Sequence, residues 1–183
     1  MNESAPNSTI LISDGLYEEK VTINKSIRII GSNATIKTPT KNSNTITIKG
    51  EPDIKLFNLS IRALQGGSSI KIQSHDIQLT LGGVTLTDSV FSDPQPKSFN
   101  LSIFNSLIKE GIYLSGRKEG SVSAVNSRIS DGISIIGSLN STVTIEDSTT
   151  NISLYRGKNS RIKVSNSSIG NIYSQTYSTQ LQV

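Results

Sequence analysis

The chain has 183 residues, 34% hydrophobic and 17% charged, a formal net charge of +4 and no cysteine. That is enough for one domain with a substantial core. It excludes disulfide frameworks and thiolate chemistry. The single histidine, His75, excludes a His/Cys zinc cluster, and no run of 18 apolar residues exists to span a membrane as a helix. A pI of about 9.3 without a dense Lys/Arg stripe does not suit a nucleic-acid partner. Ser, Thr and Asn are abundant, at 31, 16 and 15 residues. Disorder is nevertheless excluded, because Ile, Val and Leu recur at period two along most of the chain.

Residues 1–9, MNESAPNST, lack the basic and apolar regions of a signal peptide and read as an N-terminal extension or cap. From Ile10 to Lys37 apolar and polar residues alternate, punctuated by Asp14-Gly15 and Gly31, the pattern of short strands. An eight-residue unit then recurs: IRIIGSNA from Ile27, IKLFNLSI from Ile54, LTLGGVTL from Leu79, LSIFNSLI from Leu101, VSAVNSRI from Val122, VTIEDSTT from Val143 and IKVSNSSI from Ile162. Its fifth position is Gly31, Asn58, Gly83, Asn105, Asn126, Asp147 and Asn166. These are the residue types that best tolerate a left-handed backbone, so one such turn is expected per repeat. A third strand follows in the later repeats at Ile112, Ile133, Ile152 and Ile172.

Three short strands restarting in the same order every 19–21 residues fit stacked parallel coils. A β-sandwich would not explain an in-frame Asn at that spacing. The expected fold is all-β: a single-stranded right-handed parallel β-helix of seven or eight coils bearing three short parallel sheets. One domain spans 1–183, with coils over 10–175 and a C-terminal tail or cap at 176–183.

The opening coils, Ile10-x-Ile12, Gly15-x-Tyr17-x-Glu19-x-Val21-x-Ile23, Lys25, Ile27 and Gly31, resemble those of pectinesterases and related surface proteins of the pectin lyase-like superfamily. The resemblance implies a right-handed β-helix in which these residues are structural. The Gln-Asp-Thr and Asp-Phe segments of pectinesterases do not occur. Of the polygalacturonase motifs only Arg161-Ile162-Lys163 occurs, in the strand before an Asn turn. The resemblance places the family's cleft on the outer face of the Ile112, Ile133, Ile152 and Ile172 strands. With those isoleucines inward, Tyr113, Ser115, Ser134, Ile136, Ser153, Tyr155, Tyr173 and Gln175 point outward. That set lacks the carboxylate pair of a glycosidase and the acidic oxygens of a calcium site, so no catalytic residue, metal or cofactor is assigned.

What the face does offer is Tyr113, Tyr155 and Tyr173 beside Arg117, Lys118, Arg156 and Lys158 in the following turn, groups suited to stacking a sugar and holding an anion. Asn-x-Ser/Thr occurs at Asn2, Asn7, Asn24, Asn33, Asn58, Asn100, Asn140, Asn151 and Asn166, which points to a glycosylated extracellular or cell-surface protein. The expected function is a non-catalytic structural or surface module. The C-terminal SQTYSTQLQV reads as one more strand without a charge or proline to blunt its edge, so end-to-end self-association is a further expectation. The alternatives are a polysaccharide-binding module using the Tyr/basic face and a degenerate carbohydrate-active enzyme.

Overall fold

A computed structural model describes residues 4–93 and 95–183. It contains 21 strands. Coil by coil these are β1 (Ser8–Ile12), β2 (Gly15–Glu18) and β3 (Val21–Ile23); β4 (Ile27–Lys37) and β5 (Ile46–Gly50); β6 (Asp53–Arg62) and β7 (Ile70–Ser74); β8 (Asp76–Gly82), β9 (Thr85–Leu86) and β10 (Val90–Ser92). The later coils are β11 (Ser98–Phe104), β12 (Leu107–Ile108) and β13 (Gly111–Ser115); β14 (Glu119–Val125), β15 (Arg128–Ile129) and β16 (Gly132–Ile136); β17 (Asn140–Glu146) and β18 (Thr149–Tyr155); β19 (Ser160–Ser165) and β20 (Ser168–Gln175); and finally β21 (Thr179–Gln182). Strands β4, β6, β18 and β20 each turn a corner and serve two sheets.

Every pairing is parallel and joins one coil to the next, giving a β-solenoid of about eight turns. Sheet I stacks β1, β4, β6, β8, β11, β14, β17, β19 and β21. Sheet II stacks β2, the second halves of β4 and β6, then β9, β12, β15 and the first parts of β18 and β20. Sheet III stacks β3, β5, β7, β10, β13, β16 and the second parts of β18 and β20.

Period-two alternation makes the core. The inward column of sheet III runs Val21, Ile46, Ile70, Val90, Ile112, Ile133, Ile152 and Ile172 in register. Sheet I contributes Ile27, Ile54, Leu79, Leu101, Val122, Val143, Ile162 and Leu181. Each aliphatic side chain packs on its counterparts one coil above and below, about 4.8 Å away, so one continuous core fills the solenoid. Phe99 belongs to a neighbouring inward column of sheet I, in which it stacks on Ile77. It is accommodated because the next coil has Gly120 there, where an added Cβ would lie 2.1 Å from the ring.

The corner between sheets I and II is the left-handed one. Asn58, Gly83, Asn105, Asn126, Asp147 and Asn166 all have φ between 45° and 62°. Gly31 is a correction to the sequence reading. It is extended and pairs with Ile12, and the left-handed residue at its corner is Asn33, at φ 59°. The register explains why. Ile30 pairs with Phe57 and Ala34 with Leu59, so this coil must absorb two extra residues at the corner. Gly31 is glycine for a different reason: a Cβ there would meet the Asn58 carbonyl at 2.5 Å. The C-terminal stretch 176–183 carries the further strand read from its sequence. It contains β21, which adds a ninth strand to sheet I by pairing with β19. At the other end β1 begins at Ser8, and Asn7 N–H donates to the Ser26 carbonyl at 2.7 Å, so the chain lies along the second coil before entering the first. Residues 1–3 of the expected extension, with Asn2, lie outside the described residues.

Candidate functional site

Alternation on sheet III turns Ile112 and Leu114 inward and Tyr113 outward, and the same logic holds on every coil. Two outward rows result. One runs Thr22, Thr47, Lys71, Phe91, Tyr113, Ser134, Ser153 and Tyr173; the other includes Ser115, Ile136, Tyr155 and Gln175. Phe91, Tyr113, Ile136 and Tyr173 are 38–50% exposed. The Tyr155 and Tyr173 rings sit 5.1 Å apart with a 39° tilt. Tyr113 folds back over Gly111, where a Cβ would lie 2.7 Å from the phenol. Phe91 and Tyr113 occupy adjacent coils. The face therefore carries one packed ring pair, Tyr155 and Tyr173, and two further aromatic residues, Phe91 and Tyr113, at paired positions on adjacent coils, with Ser115, Ser134, Ser153 and Ile136 between and beside them.

The flanks differ in sign. Arg117, Lys118, Arg156 and Lys158 are all exposed in the turn after sheet III. Between the two pairs the intervening coil passes through Gly137, Ser138 and Leu139, and Lys158 Nζ lies 5.4 Å from the ring centre of Tyr177. Arg156 takes φ 54°, where the coil below has Gly137 at φ 79°. The opposite edge is acidic. Asp88, Glu110 and Asp131 occupy the same offset, two residues before Val90, Ile112 and Ile133. Partial desolvation, then Asp88 and Asp131, raise the Glu110 carboxyl above its ordinary pKa. Desolvation, then Asp131 and Glu110, likewise raise the Tyr113 phenol, which stays a neutral hydroxyl donor. Sequence reading looked at the turn after the third strand and missed this column before it; the constant offset from the inward residue was the available signal. Among the described residues no three His, Asp or Glu side chains form a metal-binding group.

At the left-handed corner the amides pair between coils. Asn126 Nδ2 donates to Asn105 Oδ1 at 2.6 Å, Asn33 Nδ2 donates to Asp14 Oδ1 at 3.1 Å, and Asn166 Nδ2 donates to Asp147 Oδ1. The serines that follow these left-handed residues form a second ladder. Ser106 N–H donates to Ser127 Oγ at 3.2 Å, Ser127 N–H to Ser148 Oγ at 2.9 Å and Ser148 N–H to Ser167 Oγ at 3.0 Å. Each hydroxyl then donates to the carbonyl two residues back, as Ser127 does to Val125 at 2.8 Å. Each left-handed residue turns the next serine inward, and the hydroxyl supplies the acceptor that the parallel ladder lacks at a corner.

The glycosylation candidates lie on the outside. Asn7, Asn24, Asn33, Asn58, Asn100, Asn140 and Asn166 are exposed and Asn151 is half-buried. In Asn33 and Asn166 the acceptor nitrogen is engaged in the corner pairs just described. Asn151 Oδ1 accepts the Asn171 N–H at 2.9 Å. No protein-family model, curated protein or solved structure matches the chain.

Proposed function

We propose that this chain is a non-catalytic solenoid module, of the kind seen in surface proteins with pectin lyase-like coils, which binds an extended polysaccharide along the outer face of sheet III. The observation that carries this reading is the row of aromatic side chains on one sheet face, the packed Tyr155/Tyr173 pair together with the exposed Phe91 and Tyr113. Aromatic faces supply stacking area at low conformational cost, and the serine hydroxyls between them can exchange hydrogen bonds with sugar hydroxyls. Tyr113 and Tyr173 lie three coils apart, roughly 14 Å at about 4.8 Å per coil. A sugar chain long enough to reach both Tyr113 and the Tyr155/Tyr173 pair gains from the linkage, because the second contact is intramolecular. The expected result is a steep rise in affinity with oligosaccharide length, measured by calorimetry, a loss of at least tenfold in Tyr155→Ala, and no release of reducing ends on prolonged incubation. Length-independent binding unaffected by Tyr155→Ala would refute the reading.

A second reading is favoured by the last coil. Ile152 and Ile162 are fully buried, yet their next-coil counterparts Ile172 and Leu181 are 39% and 54% exposed. Neither β20 nor β21 pairs beyond β18 and β19. An open parallel edge with apolar inward side chains suits another coil, and stacking on β1, β2 and β3 of a second copy would be heterologous and filament-forming. Analytical ultracentrifugation of this chain tests it: concentration-dependent assembly that is lost in Leu181→Lys supports end-to-end stacking, and a 19.7 kDa monomer at high concentration refutes it.

A further inference from the structure

A concave surface lies on sheet I, away from the aromatic face. It is a groove of about 570 Å³ crossing the starts of β6, β8, β11, β14 and β17. Alternation again determines what it displays. One row of outward side chains runs Gln78, Asn100, Ser121 and Thr142 in strict register. Beside it runs Asp76, Ser98, Glu119 and Asn140, two residues earlier on the same strands. Thus four successive coils each contribute a pair of hydrogen-bonding groups, repeating at about 4.8 Å along the solenoid axis.

The chemistry of these rows is specific. Amides offer both donors and acceptors, hydroxyls do the same, and carboxylates accept only. Some of that capacity is used internally: Ser98 N–H and Oγ donate to Asp76 Oδ1 at 3.1 and 2.5 Å, and Ser121 Oγ donates to Asn100 Oδ1 at 2.9 Å. The Asn100 amide donors, the Gln78 amide and the Glu119 carboxylate make no such bond and are exposed. The one aromatic residue of the lining, Phe99, is buried in the core, so recognition here is by hydrogen bonding at the edges of a ligand and not by stacking. The acids are strung along the groove and form no metal-binding group. They disfavour an anionic ligand through like-charge repulsion.

We propose that this groove binds a non-anionic oligosaccharide laid along the solenoid axis, its hydroxyls or amines meeting the Gln78/Asn100/Ser121/Thr142 row and the Asp76/Glu119 carboxylates. It is separate from the sheet III face and does not rest on it. The experiment titrates the full chain with three probes: cellohexaose, a chitosan hexamer and an oligogalacturonate hexamer. Affinity is read by calorimetry and location by backbone-amide chemical shifts. The expected result is binding of cellohexaose, the chitosan hexamer or both, with shifts centred on β8, β11 and β14. The Gln78→Ala/Asn100→Ala double variant should lose at least tenfold in affinity with an unchanged urea midpoint, since both side chains are exposed, while Tyr155→Ala should bind as the parent does. No binding of either non-anionic probe would overturn the proposal, as would preference for oligogalacturonate, or shifts confined to sheet III and abolished by Tyr155→Ala. A decalysine peptide that shifts these strands while the sugars do not would reassign the groove to basic peptides and overturn it too.

Discussion

Replacing Ser127 by alanine tests whether the buried serine ladder, more than the visible asparagine ladder, holds the corner together. Ser127 is 6% exposed and its hydroxyl makes two bonds. It accepts the Ser106 N–H at 3.2 Å and donates to the Val125 carbonyl at 2.8 Å. Alanine removes both, but the losses are unequal. The Val125 carbonyl keeps the Asn105 N–H at 3.2 Å. The Ser106 N–H, in a residue itself 6% exposed, is left without an acceptor. An orphaned buried donor costs about 1–3 kcal/mol, so the expected loss is about 2 kcal/mol. With a urea slope of roughly 2–3 kcal/mol/M for a chain of this size, the midpoint should fall by about 0.7–1 M. Ser160→Ala is the matched contrast. Its hydroxyl is buried with no partner among the described residues, so its removal should be neutral or stabilising by about 1 kcal/mol. Ser167→Ala, at a half-buried rung that water can reach, should fall between the two. The reasoning fails if Ser127→Ala stays within about 0.5 kcal/mol of the parent, or if Ser160→Ala costs as much as Ser127→Ala.

Three further outcomes are expected. Asn126→Ala should be less stable than Asn126→Gly by about 1 kcal/mol, because both lose the exposed bond to Asn105 but only alanine is strained at φ 47°; equal urea midpoints would contradict it. Gly120→Ala should cost about 1–3 kcal/mol by crowding Phe99, and Phe99→Leu in the same chain should recover part of that, a coupling that a double-mutant cycle in thermal unfolding measures. Glu110→Gln should raise the urea midpoint at pH 7. The folded-state pKa of Glu110 is raised by desolvation, Asp88 and Asp131, so its ionised form opposes folding above that pKa and the penalty disappears as pH falls through it. The gain from glutamine should therefore vanish in acid and shrink with added salt; a pH-independent loss would contradict the assignment.

Much of the fold was legible without coordinates. The alternation of Ile, Val and Leu fixes which residues face inward, and the recurrence of Asn58, Asn105, Asn126, Asp147 and Asn166 marks one left-handed corner per coil. Both are local properties, set by sterics within a few residues, so a linear reading recovers the parallel solenoid and its coil count. Relations between coils were not legible, because they depend on register and on how each turn absorbs its length. Counting five positions chose Gly31, whereas the stacking of Ala34 on Leu59 makes Asn33 the left-handed residue. The inward serines became visible only once each corner had a backbone conformation. The Asp88, Glu110 and Asp131 column has a constant offset in the sequence, but the stacking of the coils is what lets these acids act on one another and on Tyr113. The groove on sheet I depends on the same register. Sequence alone determined which way each side chain of a strand points; only the stacked structure decided which side chains become neighbours, because contacts between coils join residues about twenty positions apart.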